Sequence, residues 1–174
     1  MFSTTLFYPV RLQWSDLRTY FFILLFAAGS LILPQLCHLI PSGGQIFLPI
    51  YFFTLIASYK FGLKVGLLTA ALSPVMNCIF FGMPPAAALP VILIKSILLA
   101  VIAAYVANTF KKISILYLMI VVFGYQLIGS FIEWNITQSF SAAIADLTTG
   151  VPGMFIQVFA GWLILKKLAS YDKG

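Results

Sequence analysis

Apolar residues in this chain come in long runs, broken at short intervals by clusters of Gly, Pro, Lys and other polar residues. Most runs approach the roughly 20 residues that a helix needs to cross a bilayer, which is more than the core face of a soluble helix supplies. The pattern predicts six spans, at residues 19–40, 46–59, 63–81, 86–110, 113–134 and 151–168. The second is short, so it either begins inside the preceding loop or tilts with a polar-lined end. The breaks have turn chemistry: PSGGQ at 41–45, the basic turn YKFGLK at 59–64, and Gly82-Met83-Pro84-Pro85. The fold class expected is an all-α integral membrane protein, a single six-transmembrane-helix bundle over residues 1–174.

Small residues within the spans mark where helices can approach closely. Gly62, Gly66 and Ala70 stand four apart and form one ridge on span 3, which Ser73 and Asn77 extend. Ala27, Ala28, Gly29 and Ser30 make a narrow waist on span 1, and Pro34 predicts a kink beyond it. On span 6, Gly150, Gly153, Gln157 and Gly161 fall on one face. Residues 135–150 read as a polar loop with a helical turn over 141–146.

Composition agrees with this reading: 62% of residues are hydrophobic and 8% are charged, against about 25% charged in soluble domains. The net charge of +6 invites a nucleic-acid or acidic-lipid partner until its positions are considered. Six spans place Arg11, Arg18, Lys60, Lys64, Lys111, Lys112, Lys166, Lys167 and Lys173 on one side, and Glu133 and Asp146 on the other. That is a positive-inside pattern. It predicts cytoplasmic termini, and it makes the basic charge a matter of topology rather than of nucleic-acid binding. The apolar run after Arg11, Asp16 and Arg18 is too long for a signal-peptide core and reads as a span. There is one histidine, no paired-histidine metal motif, no G-x-S-x-G and no P-loop. The chain is therefore expected to be no enzyme, to hold no metal or cofactor, and to be unable to hydrolyse ATP alone. Cys37 and Cys78 fall near the same predicted membrane face, which leaves open a disulfide or two free thiols packed as small hydrophobes.

The candidate chemistry centres on Lys95. It lies nine residues into span 4, ~14 Å deep at 1.5 Å per residue and close to mid-bilayer. A lysine there costs roughly 2.5–3.5 kcal/mol on insertion scales, so a partner inside the protein is expected. Other polar residues collect toward the outer half: Gln35 and His38, Asn77 and Cys78, Gln126, Ser130 and Glu133, and Gln157. Gln126, Ser130, Glu133 and Thr137 form one stripe on span 5. Two readings of Lys95 stand: a cation facing an acidic group of a solute, or a structural lysine that pairs with Glu133 or snorkels along its stem; both hold if the solute displaces Glu133. The stripe serves either the solute or helix association, and Tyr51 and Trp134 either stack on a planar ring or belong to the interfacial belt.

The order of motifs from Gly44 to Tyr105 resembles the substrate-binding S component of energy-coupling-factor (ECF) vitamin transporters. The residues that carry it are FLP before span 2, Gly62, Lys64 and Gly66 in the next turn, LSP at 72–74, and GMPP at 82–85. The resemblance implies a prokaryotic cytoplasmic-membrane protein that binds a vitamin or related micronutrient with high affinity from outside. It also implies an EcfT-type coupling subunit and two EcfA-type ATPases as partners, the ATP being used by the latter. The solute site implied overlaps Gly43, Gly44, Gln45, Asn77, Lys95, Gln126, Glu133, Trp134 and Gln157. Small residues of span 1 dock the coupling subunit in that family, and here they are Ala27, Ala28 and Gly29. Two rival classes are a structural membrane scaffold of the MreD type and a stand-alone secondary transporter. The latter usually carries inverted repeats, and none is seen.

Overall fold

The computed structural model describes residues 5–7, 9 and 17–171. Arg11, Asp16 and Lys173, used in the charge argument, lie outside the described residues. The chain runs through β1 (Thr5–Leu6), α1 (Leu17–Cys37), α2 (Gly43–Phe47), α3 (Pro49–Phe61), α4 (Leu63–Phe81), α5 (Leu89–Phe110), β2 (Lys112–Ile113), α6 (Ile115–Thr137), α7 (Phe140–Thr148) and α8 (Val151–Tyr171). Five of these, α1, α4, α5, α6 and α8, are long and apolar enough to cross a membrane. The chain is thus a helical, multi-pass membrane protein. A two-residue antiparallel pair, β1 with β2, is the one departure from all-α among the described residues.

The predicted second span is divided. Leu48 takes a left-handed conformation, with φ 49° and ψ 46°, and separates α2 from α3. Pro49 then starts α3, where its missing N–H is no loss. What remains is a helix of 13 residues, ~20 Å long, against a hydrocarbon thickness of ~30 Å. Yet α3 is the centre of the bundle. It packs against α1, α4, α5 and α8, and Leu55, Ile56, Ala57 and Tyr59 are almost wholly buried. A short helix surrounded by other helices along its length need not match the bilayer thickness by itself.

Helices α3 and α4 can lie close because of the small-residue ridge predicted on span 3. A Cβ on Gly66 would collide with Ser58, backbone included. Most of the waist on α1 faces the bundle. Ala27 is buried, and a Cβ on Gly29 would fall 2.7 Å from Cζ of Phe53 on α3. These two residues seat α1 on its own bundle, and of the three only Ala28 is turned outward.

One end of the bundle gathers the basic residues. Arg18, the Lys60–Lys64 turn, Lys111, Lys112, Lys166 and Lys167 stand at the start of α1, the α3–α4 turn, the α5–α6 turn and the end of α8. Backbone contacts join these turns. Phe7 N–H donates to the Lys111 carbonyl at 2.9 Å, and the Tyr59 hydroxyl donates to the Lys112 carbonyl at 2.7 Å. The Lys60 ammonium lies 5.0 Å from the centre of the Phe7 ring. Large apolar side chains such as Leu24, Ile32, Phe131 and Phe155 cover the outside of the long helices, as lipid-facing positions require.

Gly66→Ala is expected to lower stability by about 1–3 kcal/mol, the usual cost of overpacking. Gly124→Ala is the control, because its Cβ would meet nothing nearer than 3.9 Å. Thermal unfolding of both variants in one detergent checks this: a clear drop for the first and none for the second.

Candidate functional site

Lys95 occupies the second turn of α5, at the end of the bundle opposite the basic turns. Its side chain is 1% exposed. Gly129 on α6 makes this position possible, since a Cβ there would fall 2.6 Å from Cγ of Lys95. The aliphatic stem lies across the gap left by the missing side chain. One helical turn further along the same face of α6 stands Glu133, and its Oε2 is 2.6 Å from the Lys95 Nζ. That contact is an ion pair out of hydrogen-bond alignment.

The second anion comes from α7. Ser139 caps this helix by accepting the Ala142 N–H at 3.3 Å. Its amphipathic turn lays Asp146 against Lys95, which donates to Asp146 Oδ2 at 2.7 Å. One ammonium therefore holds two carboxylates and ties α5, α6 and α7 together. In a low-dielectric surrounding an unpaired charge costs several kcal/mol, so each ion depends on the others.

These three side chains line a cavity of about 830 Å³. Its other walls come from the end of α1 (Pro34, His38), from α2 and the start of α3 (Gly44, Gln45, Tyr51), and from the Gly82–Pro85 turn. Tyr51 packs on Tyr125 with ring centres 5.4 Å apart. Gly44 lets α2 approach the imidazole of His38, which a Cβ would meet at 2.7 Å. Volumes of ~300–1,000 Å³, mostly apolar with a few converging polar groups, are the usual size of small-molecule sites.

Of the predicted site residues, the fold brings Gly44, Gln45, Lys95 and Glu133 to this cavity. Gly43 lies just behind it, buried against the Cys37 carbonyl. The remaining four do not line it. Asn77 uses its Nδ2 to bridge the carbonyls of Ser30 and Ser73, both at 2.8 Å, and so joins α1 to α4. Gln157 accepts from the Tyr125 hydroxyl at 3.1 Å, joining α8 to α6. Gln126 is fully buried on α6 with neither amide atom hydrogen-bonded. Trp134 is 45% exposed and packs edge-on to Phe131 and Phe140 on the outer surface. Cys37 and Cys78 are free thiols.

The two readings of Lys95 resolve toward the ion pair, with an added partner. The lysine is not an open ammonium waiting for an anion, because Glu133 and Asp146 both hold it. Asp146 and Gly129 form part of this arrangement, and neither is among the residues that the sequence pattern puts at the site. A signal for Asp146 was present. The chain has four acidic residues, and Glu133 and Asp146 alone lie on the predicted outer side, where Lys95 needs compensation.

No protein-family model, curated protein or solved structure matches the chain.

Lys95→Met leaves two carboxylates facing each other and is expected to cost about 3–5 kcal/mol, as breaking buried pairs does. The triple variant Lys95→Met, Glu133→Gln, Asp146→Asn is expected to recover most of that loss. Denaturation midpoints of the single and triple variants test the triad, and additive effects would contradict it.

Proposed function

We propose that this chain is the solute-binding subunit of a membrane importer, in the manner of the S components of ECF transporters. The observation that carries the proposal is the cavity of about 830 Å³, lined by a buried charged triad, at the end of the bundle away from the basic turns. A structural scaffold of the MreD type needs helix-to-helix packing but no such hollow. A charged group held in a wall at membrane depth is by default a functional feature.

In this reading α3 counts as the sixth crossing, its short length made up by α2. The basic end faces the cytoplasm of a prokaryotic cell and the cavity faces outward. A vitamin-like micronutrient enters between the Gly82–Pro85 turn and α2, and settles beside Lys95. An EcfT-type coupling subunit and two EcfA-type ATPases supply the driving force. Ala28, the outward member of the α1 waist, is the small residue free to meet the coupling subunit.

Native mass spectrometry of the protein extracted in mild detergent tests this. A retained small molecule is expected on the intact protein. Ala88→Trp, which fills the cavity from α5's leading turn, is expected to lose it without a change in helical content. Extraction with nothing bound, from cells grown on rich medium, would contradict the proposal.

A further inference from the structure

The balance of charge in the cavity fixes the class of solute that suits it. Counting Lys, Arg, Asp and Glu among the described residues, its wall carries one cation, Lys95, and two anions, Glu133 and Asp146. The net formal charge is therefore negative by one unit. Lys95 engages Glu133 Oε2 and Asp146 Oδ2. No described residue donates a hydrogen bond to Glu133 Oε1 or Asp146 Oδ1. Each carboxylate thus keeps an accepting oxygen, and both residues line the cavity.

On the solute-binding reading above, on which this rests, we infer that the solute is cationic: an ammonium or amidinium head on a compact, largely apolar body. The head meets the two spare carboxylate oxygens. The body lies against Leu48, Val91, Ile92 and Pro85, and Tyr51 lines the same space. Charge–charge attraction in such an enclosed wall is much less screened than in water. An anionic solute meets the opposite situation. The one ammonium is already taken at 2.6 and 2.7 Å, so the anion would have to expel a carboxylate while facing the other.

Three probes matched in ring and size separate the cases: benzylammonium, benzyl alcohol and phenylacetate. Each is titrated by saturation-transfer NMR onto the intact protein in phosphatidylcholine nanodiscs, with empty nanodiscs subtracted. Benzylammonium is expected to bind at least tenfold more tightly than phenylacetate, with the alcohol between them. Glu133→Gln combined with Asp146→Asn leaves Lys95 without either carboxylate and is expected to reverse that order. Phenylacetate binding as tightly as benzylammonium, or more tightly, in the unaltered protein overturns the inference and leaves solute binding standing. A cation preference that survives in a folded double variant overturns it in the same way. No protein-dependent signal from any of the three removes the solute site itself, and the inference with it.

Discussion

A lysine ammonium inside a membrane protein must be matched by anions close at hand, and here that single requirement arranges one end of the bundle. Lys95 reaches from α5 to Glu133 on α6 at 2.6 Å and to Asp146 on α7 at 2.7 Å. Without the lysine, α7 would present a carboxylate to a bundle with nothing to receive it. The interaction is a poor source of net stability, because desolvating three ions offsets most of their attraction. Its effect is specificity: it sets where α7 lies and keeps the space beside it walled rather than collapsed.

Small residues provide the complementary constraint. Gly129 admits the Lys95 stem, Gly66 lets α4 close on α3, and Gly153 lets α8 meet the backbone of Phe47 at the end of α2. In lipid there is no hydrophobic drive between helices, so close backbone approach and van der Waals contact hold them together. The bundle consequently packs tightly at its basic end, around Tyr59, Phe61 and Ile113. At the other end the α2 turn, the Gly82–Pro85 turn and α7 stand apart and enclose the cavity. The short α3 fits this asymmetry, since it fills the tight end and stops where the hollow begins.

Much of the fold was legible because long apolar runs carry their own boundaries. The five long helices begin and end within three residues of the predicted spans. The break at Leu48 was not legible, since leucine carries no turn signal and its left-handed conformation is imposed by packing at 4% exposure. The site was legible in part. A buried lysine and a glutamate on the stripe of span 5 could be paired on charge alone. The amides of Asn77 and Gln157 could not be told from solute ligands, because a polar stripe identifies a face but not which helix will cover it. Trp134 is a different case. It follows Glu133 directly, but adjacent helical residues point ~100° apart, and here that turn carries the indole to the outer surface against Phe131 and Phe140. Asp146 was not legible as a site residue, because a polar loop with a helical turn over 141–146 carries no signal of which helix α7 will lie against.

Solute capture requires the space beside Lys95 to be wet and reached from one side only. The most direct measurement places a single thiol at Ala88, in a background with Cys37 and Cys78 replaced by serine, in sealed vesicles of known orientation. A membrane-impermeant, charged thiosulfonate is predicted to modify it from the face opposite Lys111 and Lys112, and not from the face that carries them. No modification from either face, or modification from the lysine-bearing face, would contradict a solute chamber open to the outside.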